Sequence, residues 1–184
     1  SPKYRYGYKA ADKLVDSWHW KATRTDPVGY AEDQYWLGHD LAQKDVGRFA
    51  DPDEGGGFTV NMSTDGKTPL YLPAGKDAEL QGAILKSKAA PYTKEAADRL
   101  PEGTRVPGIV IAPLKGDRGD IKSSSQYRNG KWTLFLRRKL NTGSKYDVTF
   151  VPGRYHPFSL AAFDHAGKRH AYNYQVYQLV LDGE

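Results

Sequence analysis

The sequence predicts a mainly β protein, an antiparallel β-sandwich with long loops and one or two short helices. Among 184 residues, 19 glycines, 11 prolines and 13 tyrosines favour turns and strands over helices. Strand-like alternation is strongest after Gly119, where the pair Asn129-Gly130 is typical of a tight hairpin turn. The length predicts a single domain over residues 1–184, which could belong to a longer parent chain.

The first predicted strand runs from Leu14 to Arg24, where apolar and polar side chains alternate loosely. In such a strand His19 points away from Trp18 and Trp20. Two interpretations are open at this point. Either the aromatic residues line an apolar cleft in which the imidazole binds a metal centre, or the indoles pack in the core and the imidazole is exposed.

The middle of the chain, residues 26–119, is rich in glycine and proline and is predicted to be mainly loop. Within it, Thr93 to Leu100 predicts one short helix, with Thr93 as its N-cap and Pro101 as its stop. Arg105 to Pro113 predicts a short buried strand. Long loops in a compact domain are commonly functional, and these could wrap a cofactor.

The last part of the chain is predicted to be a series of antiparallel strands. Asp120–Arg128 and Lys131–Leu140 form the two arms of the hairpin that turns at Asn129-Gly130. Three further strands follow, at Val148–Val151, Tyr155–Phe163 and Tyr172–Leu181.

Composition excludes several classes of function. The net charge is +5, yet acidic and basic residues are interspersed without a basic block, so no nucleic-acid partner is expected. No apolar run approaches the ~20 residues that span a bilayer. With no cysteine, any haem must be held non-covalently, as haem b. The sequence contains no nucleophile elbow, zinc His-Glu-x-x-His pair or phosphate-binding loop.

Candidate metal ligands are the five histidines and the only methionine: His19, His39, His156, His165, His170 and Met62. Nothing near His39 or His156 distinguishes them from structural or surface residues. A methionine sulfur is a common axial haem ligand, although most lone methionines simply fill gaps in packing.

The segment Lys168-Arg169-His170 adds cations beside an imidazole near the end of the chain. Arg169 could pair with haem propionates through charge-assisted hydrogen bonds. A solvated turn is the alternative reading of this segment. His165 lies five residues before His170 and competes with it for a ligand role.

Two stretches of the chain resemble the haem-binding domain of ethylbenzene-dehydrogenase-type cytochromes. The first runs from Val15 through Ser17-Trp18-His19-Trp20-Lys21 to Gln34. The second comprises 130–143, 147–150, 158–164 and 169–171, which includes Phe163. Together they cover about half of the chain.

The resemblance implies a periplasmic or otherwise exported β-sandwich that binds haem b and carries electrons rather than catalysing a reaction itself. Its implied partner is a molybdenum enzyme or a multihaem cytochrome. The implied axial ligands are His19 and His170, with Met62, His165 and Lys168 as alternatives, and the implied haem contacts are Trp18, Trp20, Phe163 and Arg169. Few residues precede Leu14, so an edge strand of the implied sandwich could be missing from this sequence. A partner or a second copy in an oligomer could supply that strand.

A carbohydrate-binding module on a β-sandwich is the alternative function, because 4 tryptophans and 13 tyrosines could furnish a stacking platform for sugars. It predicts exposed aromatic side chains and an imidazole without a metal. A structural domain of a larger assembly, with the middle segment as its contact surface, is a third reading.

Overall fold

The computed structural model describes residues 14–37, 47–75, 77–165, 171–173 and 175–183. The protein is mainly β with mostly antiparallel pairing, which confirms the predicted fold class. It divides into two compact units, one ending at Asp147 and the other beginning at Val148. The expectation of a single domain stays a prediction. Within the described residues, no helix has the length and apolar character needed to cross a membrane.

The first unit begins with a three-stranded antiparallel sheet of β1 (Leu14–His19), β2 (Glu32–Leu37) and β3 (Gly47–Ala50). The first strand ends before the predicted Arg24. A turn replaces its last residues, because the amide of Thr25 donates to the carbonyl of Lys21 at 3.1 Å and Pro27 lies in a short 3₁₀ helix.

Short strands occupy much of the segment that was predicted to be mainly loop. They are β4 (Gly57–Val60), β5 (Tyr71–Pro73), β6 (Glu79–Leu80), β7 (Ala83–Leu85), β8 (Ala89–Pro91) and, after helix α1 (Lys94–Ala97), β9 (Ile109–Ala112). Four of them form a sheet in the order β4-β9-β7-β6, in which β7 and β9 pair in parallel. Strands of two to four residues are too short for periodicity to reveal, so the loop prediction was wrong for all of these strands except β9, which was predicted.

Two other features of this segment follow the predictions. Thr93 is the N-cap of α1, since its hydroxyl oxygen accepts a hydrogen bond from the amide of Ala96 at 3.1 Å. The predicted buried strand is present as β9, where Val110 and Ile111 are buried. With Ile84 of β7 they form the centre of the apolar core.

The predicted hairpin is present as β10 (Lys122–Arg128) and β11 (Lys131–Arg137). Asn129 and Gly130 both have positive φ, at 52° and 76°, as a type I′ turn requires. The hairpin joins the rest of the unit where the amide of Ala31 donates to the carbonyl of Ile121 at 3.1 Å.

The second unit contains β12 (Tyr155–Phe158), β13 (Ala161–Ala162), β14 (Ala171–Tyr172) and β15 (Tyr177–Val180). Strand β12 pairs with β15 and β13 pairs with β14, each antiparallel. The prediction of a strand at Val148–Val151 was wrong. The amide of Val151 donates to Nε2 of His156 at 3.0 Å, so this backbone group bonds a side chain instead of a neighbouring strand.

Candidate functional site

The sheet of β1, β2 and β3 presents two chemically different faces. His19 lies opposite Glu32 in the register and Trp18 lies opposite Asp33, so neighbouring residues point to opposite sides. One side, here named the imidazole face, carries His19, Gln34, Trp36 and Arg48. The other, here named the carboxylate face, carries Asp16, Trp18, Asp33, Tyr35 and Phe49.

The His19 ring is half-buried and contacts two side chains through Nδ1. That atom is 3.2 Å from Oε1 of Gln34 and 3.3 Å from Nη1 of Arg48. A protonated Nδ1 donates to Gln34, whereas an unprotonated Nδ1 accepts from Arg48, so one tautomer satisfies only one of the two contacts. When Gln34 accepts the hydrogen bond, the Nε2 lone pair is free to bind a metal.

The imidazole of His19 is neutral near pH 7. Burial, followed by the nearby charge of Lys21, lowers the pKa of His19 to about 4. Only a neutral imidazole has a lone pair to give to a metal, so the protonation state at neutral pH suits a ligand.

Ion pairs hold the end of the sheet beside His19. Glu32, its cross-strand neighbour, pairs with Lys21 at 3.0 Å and with the guanidinium of Arg118. Burial opposes ionisation of Glu32, but the two cations hold its pKa below the ordinary value. Arg118 also pairs with Asp53 at 3.1 Å, and thereby ties the loop after β3 to β2.

Trp18 lies on the opposite side of the sheet from the His19 ring, and Trp20 follows the end of β1. The Arg138 guanidinium is 4.9 Å from the centre of the Trp18 ring. Trp20 donates from Nε1 to Asp26 at 3.0 Å, and its ring meets Trp132 edge-on with centroids 5.0 Å apart. The predicted opposite orientation of His19 and Trp18 is confirmed by the register of β1 with β2. The orientation predicted for Trp20 and the role of both tryptophans as haem contacts stay predictions.

The other predicted site residues are more exposed or lie outside the described chain. Met62 and Phe163 are exposed, and the His165 side chain is 95% exposed with Nδ1 2.6 Å from Asp164. Outside the described residues lie His39, Lys168, Arg169 and His170. The assignment of the second axial ligand therefore stays a prediction.

The carboxylate face surrounds one buried guanidinium. Nη1 of Arg138 is 2.6 Å from Asp16, 3.6 Å from Asp33 and 3.5 Å from Asp147. The Arg138 side chain is only 1% exposed. The hydroxyl of Thr142 also donates a hydrogen bond to the carboxylate of Asp147, at 2.5 Å. The loop after β11 thus lies against β1 and β2, and this contact buries the Arg138 guanidinium together with three carboxyl groups.

A fourth carboxylate, Asp51, extends this cluster beyond β3. Its amide donates to the carbonyl of Asp33 at 3.2 Å, which continues the β2–β3 pairing and places the two side chains on the same face. Burial is the largest cause that raises the pKa of Asp33 to about 9 and that of Asp51 to about 7. Neighbouring carboxylates raise both further, because like charges oppose ionisation.

An open groove lies along the hairpin of β10 and β11. It is lined by Lys122, Ser123, Ser124, Phe135, Leu136 and Arg137. This lining contains no histidine or methionine, so the groove offers none of the ligands predicted for haem iron.

Sequence reasoning missed the residues that accompany His19 and the whole carboxylate cluster. Gln34 and Trp36 alternate with Asp33 and Tyr35, a signal for a strand that was overlooked inside the presumed loop. The cluster gave no local signal, because its members come from four separate parts of the chain. Arg138 was read only as one of the alternating residues of the hairpin.

Comparison with known protein families identifies a relationship. A family model described as ethylbenzene dehydrogenase matches residues 2–175. No curated protein matches the chain, and no solved structure matches it.

Proposed function

The chain belongs to the ethylbenzene dehydrogenase family, and from this premise we propose that it is a haem b domain that carries electrons to or from a redox partner. The observation that carries the proposal is the His19 ring, a half-buried and neutral imidazole with a hydrogen-bond acceptor behind it. This is the arrangement that metal-ligating histidines use. The family match gives no support to the carbohydrate-binding alternative.

The residues of the imidazole face fit one axial position of a haem iron. Nε2 of His19 would be the ligand, and Gln34 would fix the orientation of the ring through Nδ1. Trp36 supplies an indole on the same face. We assign the second axial position to His170, with Lys168, His165 and Met62 as alternatives, and propionate pairing to Arg169. Bound haem supplies an iron that cycles between Fe(II) and Fe(III).

The proposed partner is a molybdenum enzyme subunit or a multihaem cytochrome, and the proposed location is the periplasm or another exported compartment. Family membership supports an enzyme partner. The net charge of +5 favours an acidic docking surface on that partner. Binding through such charges weakens as salt rises, because ions screen exposed charges beyond about 10 Å at 0.1 M.

The absorption spectrum of the full chain, purified and titrated with hemin, tests the proposal. We expect a Soret band of six-coordinate low-spin iron, with α and β bands after reduction. His19→Ala removes one nitrogen ligand, so the spectrum of this variant should change to a five-coordinate or high-spin form, or haem should be lost.

The matched control is His156→Ala, which removes an imidazole that contacts the backbone of Val151 in the second unit. This variant should keep the wild-type spectrum. A colourless protein that takes up no hemin would refute the proposal. An unchanged spectrum in the His19 variant would show that a residue other than His19 binds the iron. His170→Ala, Lys168→Ala, His165→Ala and Met62→Ala then identify the second ligand.

Replacement of the acceptor behind His19 should weaken haem binding without removing the ligand. In Gln34→Ala the Nδ1 hydrogen bond to Gln34 is lost, and we expect about a 10–100-fold lower haem affinity. The reduction potential should rise, since a less polarised imidazole stabilises Fe(III) less. Gln34→Glu keeps an acceptor and should restore affinity. Equal affinity and potential in Gln34→Ala and wild type would show that Gln34 does not position the ring.

A further inference from the structure

One face of the hairpin of β10 and β11 carries cations and no carboxylate. Residues of one register pair lie on the same face, and alternate pairs lie on opposite faces. The face that is here named the outer face consists of four pairs: Lys122 with Arg137, Ser124 with Phe135, Gln126 with Thr133, and Arg128 with Lys131. All eight residues are exposed. Four cations therefore share one surface of a chain whose net charge is +5.

The opposite face of the hairpin packs against the rest of the first unit. Ser123 and Ser125 on that face are half-buried, whereas their neighbours on the outer face are exposed. On the same inner side, the ring of Trp132 meets Trp20 edge-on with centroids 5.0 Å apart, and Trp20 directly follows His19 in the chain. A protein docked on the outer face is thus separated by the hairpin alone from the segment that carries His19.

The cations of the outer face have no counter-charges within the described chain. In the residues that the structure describes, no carboxylate lies within ion-pairing distance of these four side chains. At each end of the hairpin, two cations lie directly opposite each other, which destabilises a sheet. The fold gains nothing from these like-charged pairs, so their presence indicates counter-charges on another molecule.

An exposed phenylalanine lies between the two pairs of cations. Phe135 is 67% exposed, whereas Leu134 and Leu136, which lie on the inner face, are 37% exposed. Charges alone suffice to keep the edges of a two-stranded hairpin from pairing with other chains. That role does not require an exposed aromatic ring, whereas arginine and aromatic residues are enriched in protein–protein interfaces. The composition of the outer face is therefore that of an interface.

We propose that the outer face of the hairpin is the docking surface for an acidic patch on the redox partner protein. Carboxylates of the partner pair with Arg128, Lys131 and Arg137, and an apolar side chain of the partner packs on Phe135. Since a strand rises about 3.4 Å per residue, the face is only about 20 Å long. Its small area suits the transient contacts that electron carriers make. The nature of the partner rests on the proposed electron-transfer function, but binding at this face needs no haem.

Binding of fluorescently labelled poly-L-glutamate to the full chain, measured by anisotropy at low salt, tests the proposal. The hairpin variant combines three substitutions on the outer face: Arg128→Gln, Lys131→Gln and Arg137→Gln. Its affinity should be at least about tenfold lower than that of wild type, because three charge contacts are lost. The variant should fold, as circular dichroism would show, since it removes repulsion and no buried contact.

The matched control removes the same charge from another part of the first unit. It combines three substitutions of exposed residues outside the hairpin: Lys67→Gln, Arg99→Gln and Arg105→Gln. Each triple variant loses one lysine and two arginines, so the net charge of the chain falls equally in both. The control should bind poly-L-glutamate within about threefold of wild type, because salt screens charges that lie far from the binding site.

Two glutamate-rich peptides of equal charge, one with a leucine at its centre, test the apolar contact. Wild type should bind the leucine peptide at least about threefold more tightly, because the leucine buries apolar surface on Phe135. Phe135→Ser should abolish this preference and still bind the leucine-free peptide, since the cations remain. Equal affinity of wild type for the two peptides would contradict the contact at Phe135.

Three results would overturn the docking surface as a whole. Wild type that binds no poly-L-glutamate at low salt is the first. Equal loss of affinity in the two triple variants is the second, since net charge and not the outer face would then determine binding. The third is tighter binding of single-stranded poly(dT) than of poly-L-glutamate of equal charge, lost in the hairpin variant, which would assign this face to nucleic acid.

Hemin titration separates this proposal from the proposed function. A hairpin variant with the wild-type Soret band and weakened poly-L-glutamate binding would support both. A wild-type chain that takes up no hemin, yet loses poly-L-glutamate binding in the hairpin variant, would refute the haem proposal and leave the docking surface in place.

Discussion

Arg138→Met should lower the free energy of unfolding by about 3–5 kcal/mol, the largest effect that we expect from a single substitution in this chain. The guanidinium is nearly fully buried and lies within 3.6 Å of three carboxylates, which the variant leaves without their cation. Methionine fills much of the volume, so the loss reports charge more than packing. Denaturant unfolding at pH 7 measures this loss.

The neighbouring arginine provides the control for this experiment. Arg137 ends β11 and is exposed, so Arg137→Met should change the unfolding free energy by no more than about 0.5 kcal/mol. The two variants make the same chemical change one residue apart. The deficit of Arg138→Met should shrink as the pH falls, because protonated carboxyl groups no longer need a cation. Equal stability of the two variants would contradict the central role of Arg138.

Local signals predicted several parts of the fold correctly. The Asn129-Gly130 turn and the Thr93 cap each depend on a few adjacent residues, and such chemistry is visible in sequence. The opposite orientation of His19 and Trp18 follows from the period of a strand. The structure reproduces all three.

Features that depend on distant parts of the chain could not be predicted. Asp33 and Asp147 are ordinary surface candidates in sequence, and only the return of the loop after β11 brings them together. Stacking of Tyr146 on Tyr35, with ring centroids 4.3 Å apart, helps to hold that loop against β2. The position of Gln34 beside His19 was not predicted for another reason. Its strand lies in a segment whose glycines and prolines predicted a loop.

The two faces of the first sheet carry chemically different side chains. One side carries the neutral imidazole of His19, and the other carries buried carboxyl groups around the Arg138 guanidinium. The strands that carry His19 and Gln34 also carry Asp16 and Asp33. The charge state of the cluster therefore acts on the same short strands that position the imidazole.

The free energy of unfolding should fall as the pH rises from about 4 to about 9. An unfolded aspartate has a pKa near 3.9, whereas burial beside other carboxylates raises the folded-state pKa of Asp51 to about 7 and of Asp33 to about 9. Between these values the folded state binds more protons than the unfolded state, so each group lowers stability by up to about 1.4 kcal/mol per pH unit. Denaturant unfolding across this range measures the slope. Asp51→Asn should flatten it below pH 7. Asp65→Asn, which changes an exposed carboxylate in the loop after β4, should keep it. A slope of the opposite sign would show that the carboxyl groups are ionised throughout this range.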